Sequence, residues 1–309
     1  MPTRHRSLPT FNSRAILILV SFILGVFLLI LAVSVKRSEF FSHERVSIVW
    51  ATNPVWVTTI HRSGSVGMVR IPADSYVRLT QGKGEYRIGV LWRLGTLDKK
   101  GGEVLQDTTQ NFLGAPIDSW VGFTTASPAL DGTGVDVLKH MEKAILQKTP
   151  ITGSAITNLS WLDKLLVWWT FRSIEGSSIV VSDLEEEQVL TPIELADGSR
   201  ALSANADLVD KVSHQLFWED VLRKEKIVLE VYNASDIAGR ASHAARVLNN
   251  IGVHVIGVSN SAPRKGCVLQ INYTDRNRGS VDRVASIFGC TVSNQEDHVN
   301  TVGTLYLGN

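Results

Sequence analysis

Ile227-VLEVYNASDIAGRASHAARVLNNIGVHVIGVSN-Ser261 is the most regular stretch of this 309-residue chain. Ile227–Val231 is a β-branched run, read as a strand. Asn233-Ala-Ser-Asp236 turns the chain and caps a helix. Ala241, Ala245 and Leu248 recur at helical spacing and form its buried face. Gly252 stops the helix, because glycine adopts the left-handed conformation at little steric cost. Val253–Val258 is the next strand. The pattern continues downstream with a strand at Val268–Tyr273 and a helix capped by Ser280, with Val281, Val284, Ala285 and Phe288 inward. Gly289 ends that helix, and strands follow at Thr291-Val292 and Thr304–Leu307. The order β-α-β-β-α-β-β over residues 227–309 specifies a small two-layer α/β module, long enough to fold alone. Cys267 and Cys290 each begin a strand in it. If those strands are neighbours, the two cysteines can form a disulfide; otherwise they pack as small hydrophobes.

Upstream, residues 46–123 are strand-rich. Val46–Val49, Val55–Ile60 and Val66–Ile71 are separated by turn signals at Asn53-Pro54 and Ser63-Gly64. Glu103–Phe112 has helical spacing and a stop at Gly114, and Trp120–Phe123 reads as a strand. A loop over 124–134 precedes an amphipathic helix, Val135–Gln147. Ile156–Ile174 is apolar and aromatic, Ile179–Val181 is a short strand, and Leu184–Ser199 is acidic and turn-like. Ser203 or Asn205 caps a helix predicted to run unbroken to Lys226 along Leu208, Val212, Leu216 and Val221.

At the other end, Ala15–Val35 (AILILVSFILGVFLLILAVSV) contains no charge and has the length of a bilayer crossing. Lys36 and Arg37 follow it directly and no small-residue cleavage site precedes them, which reads as an uncleaved signal anchor. Arg4, Arg6 and Arg14 precede the span, and the cation bias puts the N-terminus in the cytoplasm. The expected organisation is a cytoplasmic tail at 1–14, a transmembrane helix at 15–35, an extracytoplasmic domain at 38–226 and the module at 227–309. The fold class is α/β: one transmembrane helix, a mixed α/β extracytoplasmic domain and a small two-layer α/β C-terminal domain. The formal net charge is +1, but residues 1–37 hold five cations and no acid, so the remainder has 26 basic against 30 acidic residues. That argues against a polyanion-binding body, and no nucleic acid is expected as a partner.

Residues 62–93 depart from this balance. Arg62, Arg70, Arg78, Lys83, Arg87 and Arg93 face only Asp74 and Glu85. Five of these cations, Arg62, Arg70, Arg78, Arg87 and Arg93, are candidate phosphate ligands, because a phosphate or pyrophosphate needs convergent donors. Asp74 is the candidate metal ligand. The alternative is that alternate strand residues simply face water. Trp161–Phe171 could line a cleft for a polyprenyl chain, lie at the membrane surface, or pack as core. The histidines show no metal-binding spacing. No residue is assigned a catalytic role, and no cofactor is expected.

Residues 227–309 resemble the C-terminal domain attached to many LytR–CpsA–Psr family proteins. Those modules open with a strand and an Asn-Ala/Gly-Ser/Thr turn, then an Ala-rich helix, a Gly and a Val-rich strand; the closing Thr304-Leu-Tyr-Leu-Gly308 also fits. Arg70-Ile-Pro-Ala-Asp-Ser75 and Phe112-Leu-Gly-Ala-Pro-Ile-Asp-Ser-Trp120 resemble two motifs of the family's main domain, in the same order. Ala73, however, stands where the family pattern has arginine, and the later arginine-rich segment is absent. The resemblance implies a bacterial cell-envelope protein with a degenerate main domain. It would bind wall glycopolymer, a lipid-linked precursor such as a polyprenyl carrier, or an envelope partner protein, without catalysis. The alternative it implies is a Mg²⁺-dependent phosphotransferase that moves glycopolymer from a polyprenyl pyrophosphate to the wall.

Overall fold

The computed structural model describes residues 13–36, 38–79, 84–124, 128–146, 155–294 and 302–309. Most of the tail, Arg37, Lys83 and the predicted end of the helix at Gln147 lie outside them. The apolar run forms α1 (Ser13–Lys36), with its described side chains almost wholly exposed, followed by a single turn, α2 (Glu39–Ser42). Among the described residues α1 is the one helix long and apolar enough to cross a membrane.

The middle of the chain is built on a six-stranded sheet. Its strands are β1 (Arg45–Trp50), β2 (Val55–His61), β3 (Val66–Ile71), β6 (Ser119–Phe123), β7 (Ala155–Thr157) and β8 (Ile179–Asp183), in the order β7-β6-β1-β2-β3-β8. β1–β2–β3 is an antiparallel meander; β6 and β8 add in parallel at its two sides. Every residue of β1 is buried, which requires cover on both faces. On one face Val49, Val57 and Val69 pack with α3 (Leu91–Leu97), α4 (Glu103–Leu113) and α7 (Ala206–Phe217). On the other, Ile48, Trp50, Trp56 and Met68 pack with α5 (Gly134–Leu146) and α6 (Trp161–Ser173). The period-2 alternation of the meander therefore feeds two separate cores.

Two small hairpins decorate this body: β4 (Tyr76–Arg78) with β5 (Glu85–Arg87), and β9 (Leu190–Glu194) with β10 (Arg200–Ala204). The second corrects the turn-like reading of Leu184–Ser199. Thr191, Pro192, Glu194 and Arg200 are exposed, so polar residues and a proline interrupt the apolar alternation that would mark these strands.

The C-terminal sheet contains β11 (Val228–Ala234), β12 (His254–Asn260), β13 (Cys267–Ile271), β14 (Cys290–Asn294) and β15 (Val302–Gly308), in the order β12-β11-β15-β13-β14. With α9 (Arg240–Ile251) and α10 (Arg278–Phe288) it forms two layers, in the predicted order. Leu229 and Val231 point to the helices, while Tyr232 and Tyr306 stack on the open face. Gly252 and Gly289 both end their helices with positive φ. Asn277, not Ser280, stands before α10, and Ser280 is buried. Leu222, on α8 (Asp220–Glu225), belongs to the core of this module.

Cys267 and Cys290 are register partners on the parallel pair β13–β14 and are joined by a disulfide, with Cα atoms 4.3 Å apart and a sequence separation of 23. Closing a loop of that length should stabilise the module by on the order of 3 kcal/mol through the unfolded chain. Denaturation without reductant should expose no alkylatable thiol. Reduction should expose two and lower the unfolding midpoint. Two thiols before reduction would contradict the pairing.

Candidate functional site

The described cations of residues 62–93, Arg62, Arg70, Arg78, Arg87 and Arg93, do not converge on one point. Arg70, on β3, lines a cleft of about 280 Å³ together with Asn53, Pro72, Ala73, Asp74, Ala129, Asp131 and Glu185. Arg70, Asp131 and Glu185 also line an adjoining cleft with Asp183 and Glu186. Arg70 Nη1 donates to Asp183 Oδ2 at 2.9 Å and to Glu185 Oε2 at 3.4 Å. Asp131 Oδ1 lies 3.7 Å from its Nη2. Burial alone would lower the pKa of this guanidinium; Asp183 and Glu185 more than offset it and raise it.

Asp74, on the same cleft, lies 3.2 Å from Arg87 Nε, while Arg87 Nη2 donates to Ser199 Oγ and to the Arg200 carbonyl. Arg78 pairs with Glu85 at 2.9 Å. Arg62 lies instead beside Glu44, His61 and Trp218, and Arg93 is exposed on α3. The structure thus places Arg70 and Asp74 on one cleft, joins Arg87 to it only through Asp74, and leaves Arg62, Arg78, Arg87 and Arg93 off the lining. The carboxylates that would hold Mg²⁺ hold guanidinium groups, so the site does not fit that ion. The acids Asp131, Asp183, Glu185 and Glu186 come from segments distant in sequence, and residue spacing gave no sign of them.

A second constellation joins the C-terminal module to the central body. Arg45 (β1), Asp118 (just before β6), Glu219 (between α7 and α8) and Arg283 (α10) meet in a dry cluster. Their side chains are 0%, 7%, 1% and 3% exposed. Arg45 Nη2 donates to Glu219 Oε1 at 3.0 Å, Arg283 Nε to the same oxygen at 2.9 Å, and Arg283 Nη1 to Asp118 Oδ1 at 3.0 Å. Asp118 Oδ2 accepts from the Ser47 backbone N–H at 2.7 Å. Burial alone would push the Asp118 carboxyl up; Arg283 and Arg45 hold it below the usual carboxylate range. Asp118 is the acid of the Gly-Ala-Pro-Ile-Asp motif, and here it ties the module down. Glu39 and His43 bring ligand atoms within 4.8 Å of those of Asp118. Arg283 already neutralises that carboxylate.

The cluster explains a departure from the predicted continuous helix over 203–226. Asn205 caps α7 as expected. At Trp218 and Glu219 the chain becomes extended, Glu219 N–H donates to the Ile251 carbonyl, and its carboxylate reaches the two arginines. Asn205 was legible from its type; the break was not, because its cause is a contact with residues 45 and 283.

Polar caps extend the same junction. Arg246 on α9 donates to the carbonyls of Asn111 and Phe112 at 2.8 and 3.2 Å, and Asn250 to that of Gly114 at 2.9 Å. These are carbonyls at the C-terminal end of α4, which a helix leaves without partners of its own, and a cation there also suits the helix dipole. Gly114 has φ +60°, and a Cβ on it would press against Asn250 and Arg246. Asp210 on α7 accepts from both Arg246 Nε and Asn250 Nδ2.

Residues 226–309 match the family described as LytR cell envelope-related transcriptional attenuator. No curated protein matches the chain. Among solved structures, the Bacillus subtilis transcriptional regulator yvhJ is 16% identical; the match covers 55% of this chain and 94% of that one, with a TM-score of 0.38. B. subtilis TagU is 14% identical over 57% and 98%, also at 0.38. B. subtilis TagV is 12% identical over 56% and 94%, at 0.37.

Proposed function

We propose that this chain, whose residues 226–309 carry the LytR C-terminal domain, is a single-pass membrane protein of the cell envelope. Its N-terminus is cytoplasmic and the bulk of the chain extracytoplasmic. It binds wall glycopolymer, a lipid-linked precursor or an envelope partner, and does not catalyse transfer. The observation that carries the non-catalytic reading is the state of Arg70. This guanidinium, the central cation of the cleft, is engaged by Asp183, Glu185 and Asp131. A pyrophosphate would have to displace carboxylates that are already bonded, and Ala73 offers no donor in place of arginine. An acid-rich cleft also repels the anionic end of a lipid pyrophosphate.

The purified full-length protein in detergent, given a polyprenyl pyrophosphate and Mg²⁺, is expected to release no more phosphate than the protein-free control. Mg²⁺-dependent turnover that is abolished by Arg70→Ala would contradict the reading and establish the phosphotransferase instead. Cosedimentation with isolated wall glycopolymer reports the binding function separately.

A further inference from the structure

α6 is apolar around most of its circumference. Val167 and Phe171 fill the core against the sheet. Trp161, Leu165 and Trp169, spaced by four residues along another face, are 47%, 40% and 64% exposed. A helix apolar on its outer face as well as its inner one needs a second apolar environment. The start of that row is bonded to the end of the apolar span: Trp161 Nε1 donates to Ser34 Oγ at 2.9 Å. Ser34 lies in the last turn of α1, within the stretch Leu19–Lys36 that is able to cross a bilayer. A second latch lies alongside, where Ser38 Oγ donates to the buried carboxylate of Asp163 in the first turn of α6. Asp163 also accepts from Ser160 Oγ at 2.7 Å, and its N–H donates to that hydroxyl, which caps the helix.

We infer that the outward row of α6 lies in the lipid headgroup layer, as an interfacial second foot beside the span. This rests on α1 being a membrane anchor. The bond to Ser34 sets the depth of Trp161 at the end of the hydrocarbon core. Tryptophan favours that depth, because the ring is apolar and its N–H finds polar partners there. Arg172, close to the same face, is stacked over Trp168 at 5.5 Å and paired with Glu142 at 3.3 Å, so the row's hold on the headgroup layer rests on its apolar and aromatic side chains. Eight residues separate Trp161 from Trp169, about 12 Å of helix, so the row gives the body a second point of attachment and restrains its tilt. A second copy of the chain is the competing occupant.

The test uses the full-length protein in phosphatidylcholine–phosphatidylglycerol vesicles, spin-labelled at one introduced cysteine; the native pair is bonded and does not react. Labels at Trp169→Cys and, independently, Leu165→Cys are expected to be several-fold more accessible to oxygen than to a water-soluble nickel chelate. Leu24→Cys reports the span and Lys211→Cys, at an exposed position of α7, reports water. If position 24 reports lipid while both 165 and 169 behave like 211, the inference fails and the anchor stands. If 24 itself reports water, the anchor fails. Dipolar broadening between labels at 169 in separate chains would overturn the lipid assignment in favour of a second copy.

Discussion

Arg283→Met is expected to cost the folded protein about 3–5 kcal/mol, the range for removing one partner of a buried ion pair. Methionine keeps much of the volume, so the loss reports charge and hydrogen bonding more than packing. It leaves the Asp118 carboxylate with the Ser47 amide as its remaining direct partner, and Glu219 with Arg45 alone. Both acids are nearly dry, so neither regains water without opening the junction. Urea unfolding of the wild type and variant, followed by tryptophan fluorescence, checks the size. Because the two groups touch, Asp118→Asn combined with Arg283→Met should lose less than the sum of the single losses. A loss below about 1 kcal/mol would place the cluster with exposed surface pairs.

Ala245→Asp is expected to unfold the C-terminal module. Ala245 sits on the inner face of α9, in one cluster with Ala241, Leu248, Leu229 and Val231. An aspartate there would bury a carboxylate with no counter-charge among apolar neighbours, at a cost on the order of 3–5 kcal/mol. That exceeds what a core of this size has to spare. The exposed Lys211→Glu provides the comparison, since a charge change in water should shift stability by less than about 0.5 kcal/mol. Amide exchange followed by mass spectrometry should show β11, β13 and β15 losing protection in Ala245→Asp and keeping it in Lys211→Glu. Retained protection of those strands would contradict the assigned inner face.

The two variants separate what local pattern encodes from what it does not. The strand–helix order from Ile227 to Leu307 was legible because each element has its own period and its own glycine stop; Gly252 and Gly289 carry those stops in positive-φ conformations. The meander β1–β2–β3 was legible as β-branched runs separated by turn signals at Asn53-Pro54 and Ser63-Gly64. Arg45, Asp118, Glu219 and Arg283 were not. They lie on four different segments, and each alone reads as a surface charge. The cleft failed in the opposite sense. The local excess of cations over 62–93 was real, but neutrality is decided in space, and Asp131, Asp183 and Glu185 arrive from other segments. A one-dimensional charge count cannot register carboxylates that chain topology folds back onto it. For α6, composition left core, cleft and membrane surface open; Val167 and Phe171 lie in the core, and the exposure of Trp161 and Trp169 together with the bond to Ser34 supports the membrane-surface reading inferred for the outer row.

An envelope role requires the body to lie outside the cytoplasm, so the most direct measurement is of topology. Protease added to intact spheroplasts expressing the full-length chain should degrade residues 38–309 without lysis. Only α1 and the short N-terminal segment should be left protected, and a cytoplasmic marker should stay whole. A body that survives until the membrane is broken would contradict the account.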